Sequence, residues 1–423
     1  MSQTPSITRI AFASFIGTTI EFYDFYIYGM AAALVIGPVF FPGNSPATQA
    51  LSAFLTFAVA FLTRPLGAIL FGHFGDRKGR KSTLVASLLI MGVSTTLIGL
   101  LPGYNAIGLS APLLLCLLRF CQGIGLGGEW GGAALLATEN AKDGKRGWYG
   151  MFPQLGPPVG FLCATGSFLL LAHLLSEDEF KAWGWRLPFL ASSVLVMIGL
   201  YLRLAISETP VFNKVLKQHQ NVGFPLKEML TAHTRPLLLG AMAMVVCYAL
   251  FYISTVFALS YGTTTLHIPR QTFLGMLCIS VLFMAAATPL SAWAADRYGR
   301  RPVLLLSGSA AFLSGFALEP MLNSNSIFVI TAFLSLELFL MGATFAPMGA
   351  LLPELFPSAV RYTGAGTAYN LGGILGASFA PYIAQRLVSA GGLAWVGGYV
   401  SLAAAISLTA IWMMDETRKQ HWL

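Results

Sequence analysis

Charge is scarce in this sequence: Asp, Glu, Lys and Arg together supply 10% of its 423 residues, while 56% are hydrophobic. A soluble globular chain carries about 25% charged residues, so a surface that faces water throughout is excluded. The mean hydropathy of +0.71 says the same. Cysteine is sparse too. Cys116, Cys121, Cys163, Cys247 and Cys278 all sit inside apolar stretches, and an odd number so placed argues against a disulfide framework and for packing roles. Metal-ligand spacings and nucleophile–base pairs are missing, so neither an enzyme nor a metal site is expected. After Arg9 the chain enters a long apolar run with no small-residue cleavage site, which argues against a cleavable signal peptide.

Apolar runs are what the sequence has in abundance. A bilayer core is crossed by about 20 such residues in a helix. Twelve runs of that kind fall roughly at 10–40, 51–72, 82–102, 110–138, 147–174, 186–206, 236–261, 271–294, 302–320, 327–352, 362–386 and 394–414. The fold class is therefore an all-α membrane protein with twelve transmembrane helices in two six-helix halves, 1–206 and 236–423. A polar linker, 207–235, is expected to be a solvated connector. With the N-terminus cytoplasmic, eighteen of the 25 Lys and Arg fall on the cytoplasmic side. Lys181, Arg186, Arg270 and Arg386 fall opposite, and Arg64, Arg119 and Arg203 lie within spans. This asymmetry places both termini inside a bacterial-type inner membrane. It also accounts for the net charge of +8 without nucleic acid.

The two halves echo each other. Gly72, Asp76, Arg77, Gly79, Arg80 and Lys81 follow span two, and Asp296, Arg297, Gly299, Arg300 and Arg301 follow span eight, 220 positions later. Glu139 and Arg146 bracket the loop after span four, as Glu354 and Arg361 do after span ten, at an offset of 215. Two markers at nearly one offset point to a duplicated architecture, and such repeats place a binding site at the midplane between the halves.

The string from Gly72 to Lys81 resembles the signature loop motif of the major facilitator superfamily, and Arg119-Phe-Cys-Gln122-Gly123 resembles a second motif of it. Glu21-Phe-Tyr-Asp24, Arg64-Pro65-Leu66-Gly67 and Gly127-Gly128-Glu129-Trp130-Gly131-Gly132 resemble the narrower metabolite:proton symporter family. Trp183-Gly-Trp-Arg186-Leu-Pro188-Phe189 and Glu208-Thr-Pro210-Val-Phe212 extend that match. The resemblance implies alternating access and proton-coupled transport of small organic anions such as shikimate, citrate or 2-oxoglutarate. It also implies that Asp76, Arg77, Arg80, Glu139, Arg146, Asp296, Arg300, Glu354 and Arg361 hold the cytoplasmic ends of the halves together. Members that carry zwitterionic osmolytes add a long coiled-coil tail, and a chain ending at Leu423 weakens the osmolyte reading. An uncoupled facilitator and a non-transporting membrane sensor stay open as well.

Ionisable groups within a bilayer are functional candidates by default. Glu21 and Asp24 share a helix face and are expected to carry protons, the proton being the coupling ion and no other cofactor being expected. Arg119 offers a planar fork suited to a carboxylate, with Gln122 and Glu129 on its face. Glu129 is either a gate or part of a buried pair. Gln154, Tyr248, Tyr252 and Asn370 lie near the membrane centre as neutral partners for substrate. Arg64 precedes Pro65 and is expected to bond backbone groups at a proline kink. Glu337 is a second proton site or a latch. The expected partners are a small organic anion, protons and the lipid bilayer, with the chain acting as a monomer.

Overall fold

A computed structural model describes residues 7–43, 45–78, 80–139, 141, 142, 144–205, 225–357 and 360–418. The side chains of 7–10, 13, 72–78, 80–84, 136, 202–205 and 225–228 lie outside that description. Among the described residues every regular element is helical. α1 runs Ile7–Ala31 and continues through Ala32–Ile36 and Gly37–Phe40. α2 is Pro46–Lys78, α3 Arg80–Leu100, and α4 Ser110–Gly127 with Trp130–Glu139. α5 is Arg146–Gln154 with Gly156–Leu174, and α6 is Leu187–Ala205. α7 is Thr234–Tyr252 with Ile253–Phe257 and Ala258–Thr264; α8 is Arg270–Tyr298 and α9 Arg300–Leu322. α10 is Ile327–Phe345 with Met348–Glu354. α11 is Arg361–Gly373 with Ile374–Ser378 and Ala380–Gly391, and α12 is Leu393–Trp412.

Ten of these are long and apolar enough to cross a membrane. The others are α3, whose apolar part is Val85–Leu100, and the glycine-interrupted α11. A short helix, Pro225–Ala232, occupies part of the expected linker, whose residues 206–224 lie outside the described ones.

The helices are interrupted for local reasons. α1, α7 and α11 each contain a π-helical turn, a register slip common at functional sites. α5 breaks at Leu155, ahead of Pro157 and Pro158, because proline supplies no amide to the turn before it. α4 breaks after Gly127 and α10 after Phe345, next to Pro347.

Packing is close where glycine permits it. A Cβ on Gly127 would lie 1.9 Å from the Arg64 carbonyl oxygen, and one on Gly123 would lie 2.2 Å from that of Ala60. α2 and α4 therefore touch backbone to backbone, as small residues allow in membranes. The halves meet through α5 on α8 and α2 on α11, and through the π-turns of α1 and α7. At Gly349 a Cβ would fall 2.4 Å from the Gly150 carbonyl oxygen. Outer faces are apolar and bare: Phe328 is 80% exposed and Leu306 76%. Patches of that kind are tolerated against lipid, not water.

Candidate translocation site

The centre of the bundle is a cage of aromatic rings around two guanidinium groups. Phe57 and Phe61, one turn apart on α2, pack on Phe25 of α1 with ring centroids at 5.5 and 5.0 Å. Tyr252 of α7 closes the cage from the other half, 5.3 Å from Phe57 and 5.4 Å from Phe61. Tyr26 meets Phe251 at 4.9 Å. Tyr248 and Tyr252 stack at 6.5 Å, as their four-residue spacing predicts.

Arg119 is fully buried, and each of its three nitrogens has an acceptor. Nε donates to the Thr56 carbonyl at 3.4 Å, Nη2 to the Phe57 carbonyl at 3.2 Å and Nη1 to Gln122 Oε1. The Tyr28 ring covers its face at 3.8 Å. Gln122 passes the connection on, donating to Thr95 Oγ1 at 2.7 Å and to the Asp24 carbonyl at 3.4 Å. The expected face of α4 is therefore a strut joining α1, α2 and α3. Arg64 differs. It is buried between the rings of Phe25 and Phe61, 4.4 and 4.2 Å from their centroids. Its Nε and Nη2 have no hydrogen-bond partner, so those donors make none of the backbone bonds expected beside Pro65.

Asp24 is fully buried, and neither carboxyl oxygen accepts a hydrogen bond. Ser192 of α6 lies beside it, its hydroxyl also without a partner. Glu21 is buried on the same helix, and its charge acts on Asp24. Glu337 is buried on α10 beside Ser314 of α9. Glu129 is buried at the break of α4.

The polar groups expected to serve substrate also bridge the halves. The last carbonyls before a helix break lack helical amides, and side chains of the other half fill that need. Asn370 donates to the Gly127 carbonyl at 3.1 Å, Tyr362 to the Gly128 carbonyl at 2.6 Å, and Gln154 to the Phe345 carbonyl at 3.0 Å. Trp130 donates to Gln154 Oε1 at 3.0 Å and stacks on Tyr369 with centroids 4.0 Å apart and planes 6° from parallel. Tyr369 and the cage phenylalanines were not singled out from sequence, and Trp130 entered only as part of the motif from Gly127 to Gly132. Aromatic residues are too common in apolar spans for spacing alone to separate a cage from ordinary packing.

A second polar cluster lies at one end of the bundle. Asp296, at the end of α8, accepts the amides of Gly147 and Trp148 at 2.8 Å each, capping α5 of the other half where helix amides attract a carboxylate. Arg300 pairs with Asp296 at 2.8 Å and Glu354 at 3.2 Å, and Thr417 donates to Glu354 at 2.6 Å. Charges of Glu139, Arg146 and Glu354 act on Arg361. The side chains of Asp76, Arg77 and Arg80 lie outside the described residues. A different bridge spans the halves elsewhere: Arg270 of α8 pairs with Glu177 at 3.1 Å and covers the Phe180 ring at 3.8 Å. Beside it Gln271 meets His173 at 2.9 Å.

An apolar helical bundle with buried charges at its centre defines a multi-pass membrane protein, and the families and relatives it matches are transporters, not enzymes. The chain belongs to the major facilitator superfamily. Residues 10–223 match the family model of sugar and other transporters, and residues 263–423 that of the Major Facilitator Superfamily. The inner membrane metabolite transport protein YhjE of Escherichia coli is 52% identical over 98% of this chain and 96% of its own length. The shikimate transporter of that organism is 40% identical, over 97% of this chain and 95% of its own. Its proline/betaine transporter is 34% identical, over 96% and 83%. The fold matches the xylose transporter XylE of E. coli in a partially occluded inward-open state. There the TM-score is 0.77 at 18% identity, over 98% of this chain and 99% of that one.

Proposed function

We propose that this chain is a secondary active transporter that carries a small organic acid together with protons by alternating access. The observation that carries the reading is Asp24. A carboxylate buried without a partner costs several kcal/mol of lost solvation, and a bound proton removes that cost. A group that is comfortable protonated when the bundle is closed, and ionised when it opens to water, is a proton carrier. Glu21, three residues away, is the second member of the pair. Relatives named for metabolite and shikimate transport and fold neighbours named as proton symporters support the same reading. Residues 1–206 and 236–423 are the moving halves, with both termini cytoplasmic, no cofactor beyond the proton and the monomer as the working unit.

The test uses the purified protein in liposomes that contain a pH-sensitive dye. Shikimate, 2-oxoglutarate, citrate and glycine betaine are added in turn outside. Internal acidification with one acid, absent in empty liposomes, is the expected result. Acid uptake without acidification would sink the coupling. A response to betaine alone would favour the zwitterionic reading, which the 34% identity to proline/betaine transporters keeps in view.

A further inference from the structure

We infer that Arg64, rather than Arg119, holds the carboxylate of the transported molecule, in a pocket closed by Tyr252 and Tyr369 of the other half; the inference rests on the transport reading above. The two arginines start from the same chemistry, a planar fork that binds a carboxylate through paired donors. Their surroundings separate them. Arg119 has committed one donor each from Nε, Nη1 and Nη2 to Thr56, Gln122 and Phe57, so a carboxylate approaching its Nε–Nη2 edge would compete with the strut between α1, α2 and α3. Arg64 keeps Nε and Nη2 without partners while buried.

Around Arg64 the rings of Phe25 and Phe61 supply cation–π contact at 4.4 and 4.2 Å. Each such contact is worth up to about 2 kcal/mol when water is absent, and it holds the guanidinium in place without consuming its hydrogen-bond donors. Arg64 is also close enough for its charge to act on the hydroxyls of Tyr248, Tyr252 and Tyr369. The Tyr369 hydroxyl, beside Tyr248, makes no hydrogen bond of its own. Unpartnered cationic donors and an unpartnered hydroxyl buried among the same rings suit one carboxylate with an adjacent polar oxygen. The charges of Arg64 and Arg119 act on each other, which strengthens the attraction for an anion. The charge of Glu21 also reaches Tyr369.

The position of Arg64 also has a consequence for transport. It sits on α2, which packs on α11, and its tyrosine neighbours sit on α7 and α11. An anion bound there touches both halves at once, and only such a ligand favours the closed state over either open one.

The experiment measures binding to the purified protein by thermal shift, which reports affinity through linkage. The probes are shikimate, 2-oxoglutarate, citrate and glycine betaine, each beside its carboxamide. In wild type at least one carboxylate binds about tenfold or more tighter than its amide, the scale of a charge-assisted pair. In Arg64→Gln that preference disappears while amide binding is unchanged; in Arg119→Lys the preference remains. Tyr369→Phe and Arg64→Lys, which disturb packing least, each weaken the carboxylate about threefold or more. Should Arg64→Gln unfold, those two decide the matter. A full acid preference in Arg64→Gln, or unchanged affinity in both milder variants, overturns the assignment and leaves organic-acid transport standing. If only betaine binds, and does so through Arg64, the organic-acid reading falls and the carboxylate site stands. If no carboxylate binds wild type, both fall.

Discussion

At the scale of single residues, Asp24 and Arg119 separate coupling from architecture. Asp24 is buried without a hydrogen-bond partner for its carboxyl, and an amide of the same shape removes the proton it would carry. Asp24→Asn is expected to abolish acid-driven internal acidification in liposomes while leaving exchange of labelled for unlabelled substrate intact, because exchange needs no net proton release. Acidification at the wild-type rate would remove Asp24 from the coupling path. Arg119→Lys exchanges a fork bound to three acceptors for a single ammonium. Losing two charge-assisted bonds costs about 3 kcal/mol, spread over α2 and α4. The expected outcome is a thermal midpoint lowered by several degrees, with transport reduced at least about tenfold. The sequence marked Arg119 and Arg64 both as cations in apolar spans and favoured Arg119 for the carboxylate; which one has more spare donors depends on carbonyls 62 and 63 residues distant in the chain, a relation no local pattern carries.

At the scale of helices, glycine contacts and terminal bonds set what can move. Gly127→Ala would press a methyl group into the Arg64 carbonyl, 1.9 Å away. Overpacking of this kind costs about 1–3 kcal/mol, so a thermal midpoint lower by several degrees in detergent is expected, and an unchanged one would contradict backbone contact between α2 and α4. The two bridges between halves make opposite predictions. Asp296→Asn weakens the cap on α5 and the pair with Arg300, and so raises labelling of cysteines introduced along the path on that side. Arg270→Gln frees Glu177 and Phe180 and raises labelling from the opposite side. Equal labelling in both variants would show that neither bridge biases the open states. The helices themselves were legible, because apolar runs near bilayer length have few other solutions. The break of α5 ahead of Pro157 and Pro158 is equally local, since it follows from proline's missing amide. The π-turns of α1, α7 and α11 were not, because they reflect how each helix meets its neighbours.

At the scale of the whole molecule, the proposed cycle has the halves separate on one side and then the other. Gly150 and Gly349 belong to different halves and nearly touch, since a Cβ added to Gly349 would lie 2.4 Å from the Gly150 carbonyl oxygen. A disulfide between Gly150→Cys and Gly349→Cys, formed with a mild oxidant, is expected to arrest transport, and reductant should restore it. Transport that continues with the bond formed would mean that this contact persists through the cycle. The sequence by itself determined the membrane-spanning helical class, the repeated markers and the set of buried charges. Each of these follows from composition and spacing, which the bilayer constrains directly. Only the tertiary structure decided which buried polar groups already have partners. Asn370 and Gln154, read from sequence as substrate ligands, close carbonyls at helix breaks of the opposite half, and Trp130 stacks across the same boundary on Tyr369. A side chain's role in a dry interior is set by which donors and acceptors remain unmatched once the backbone is packed, and that is known only after helices far apart in sequence have come together.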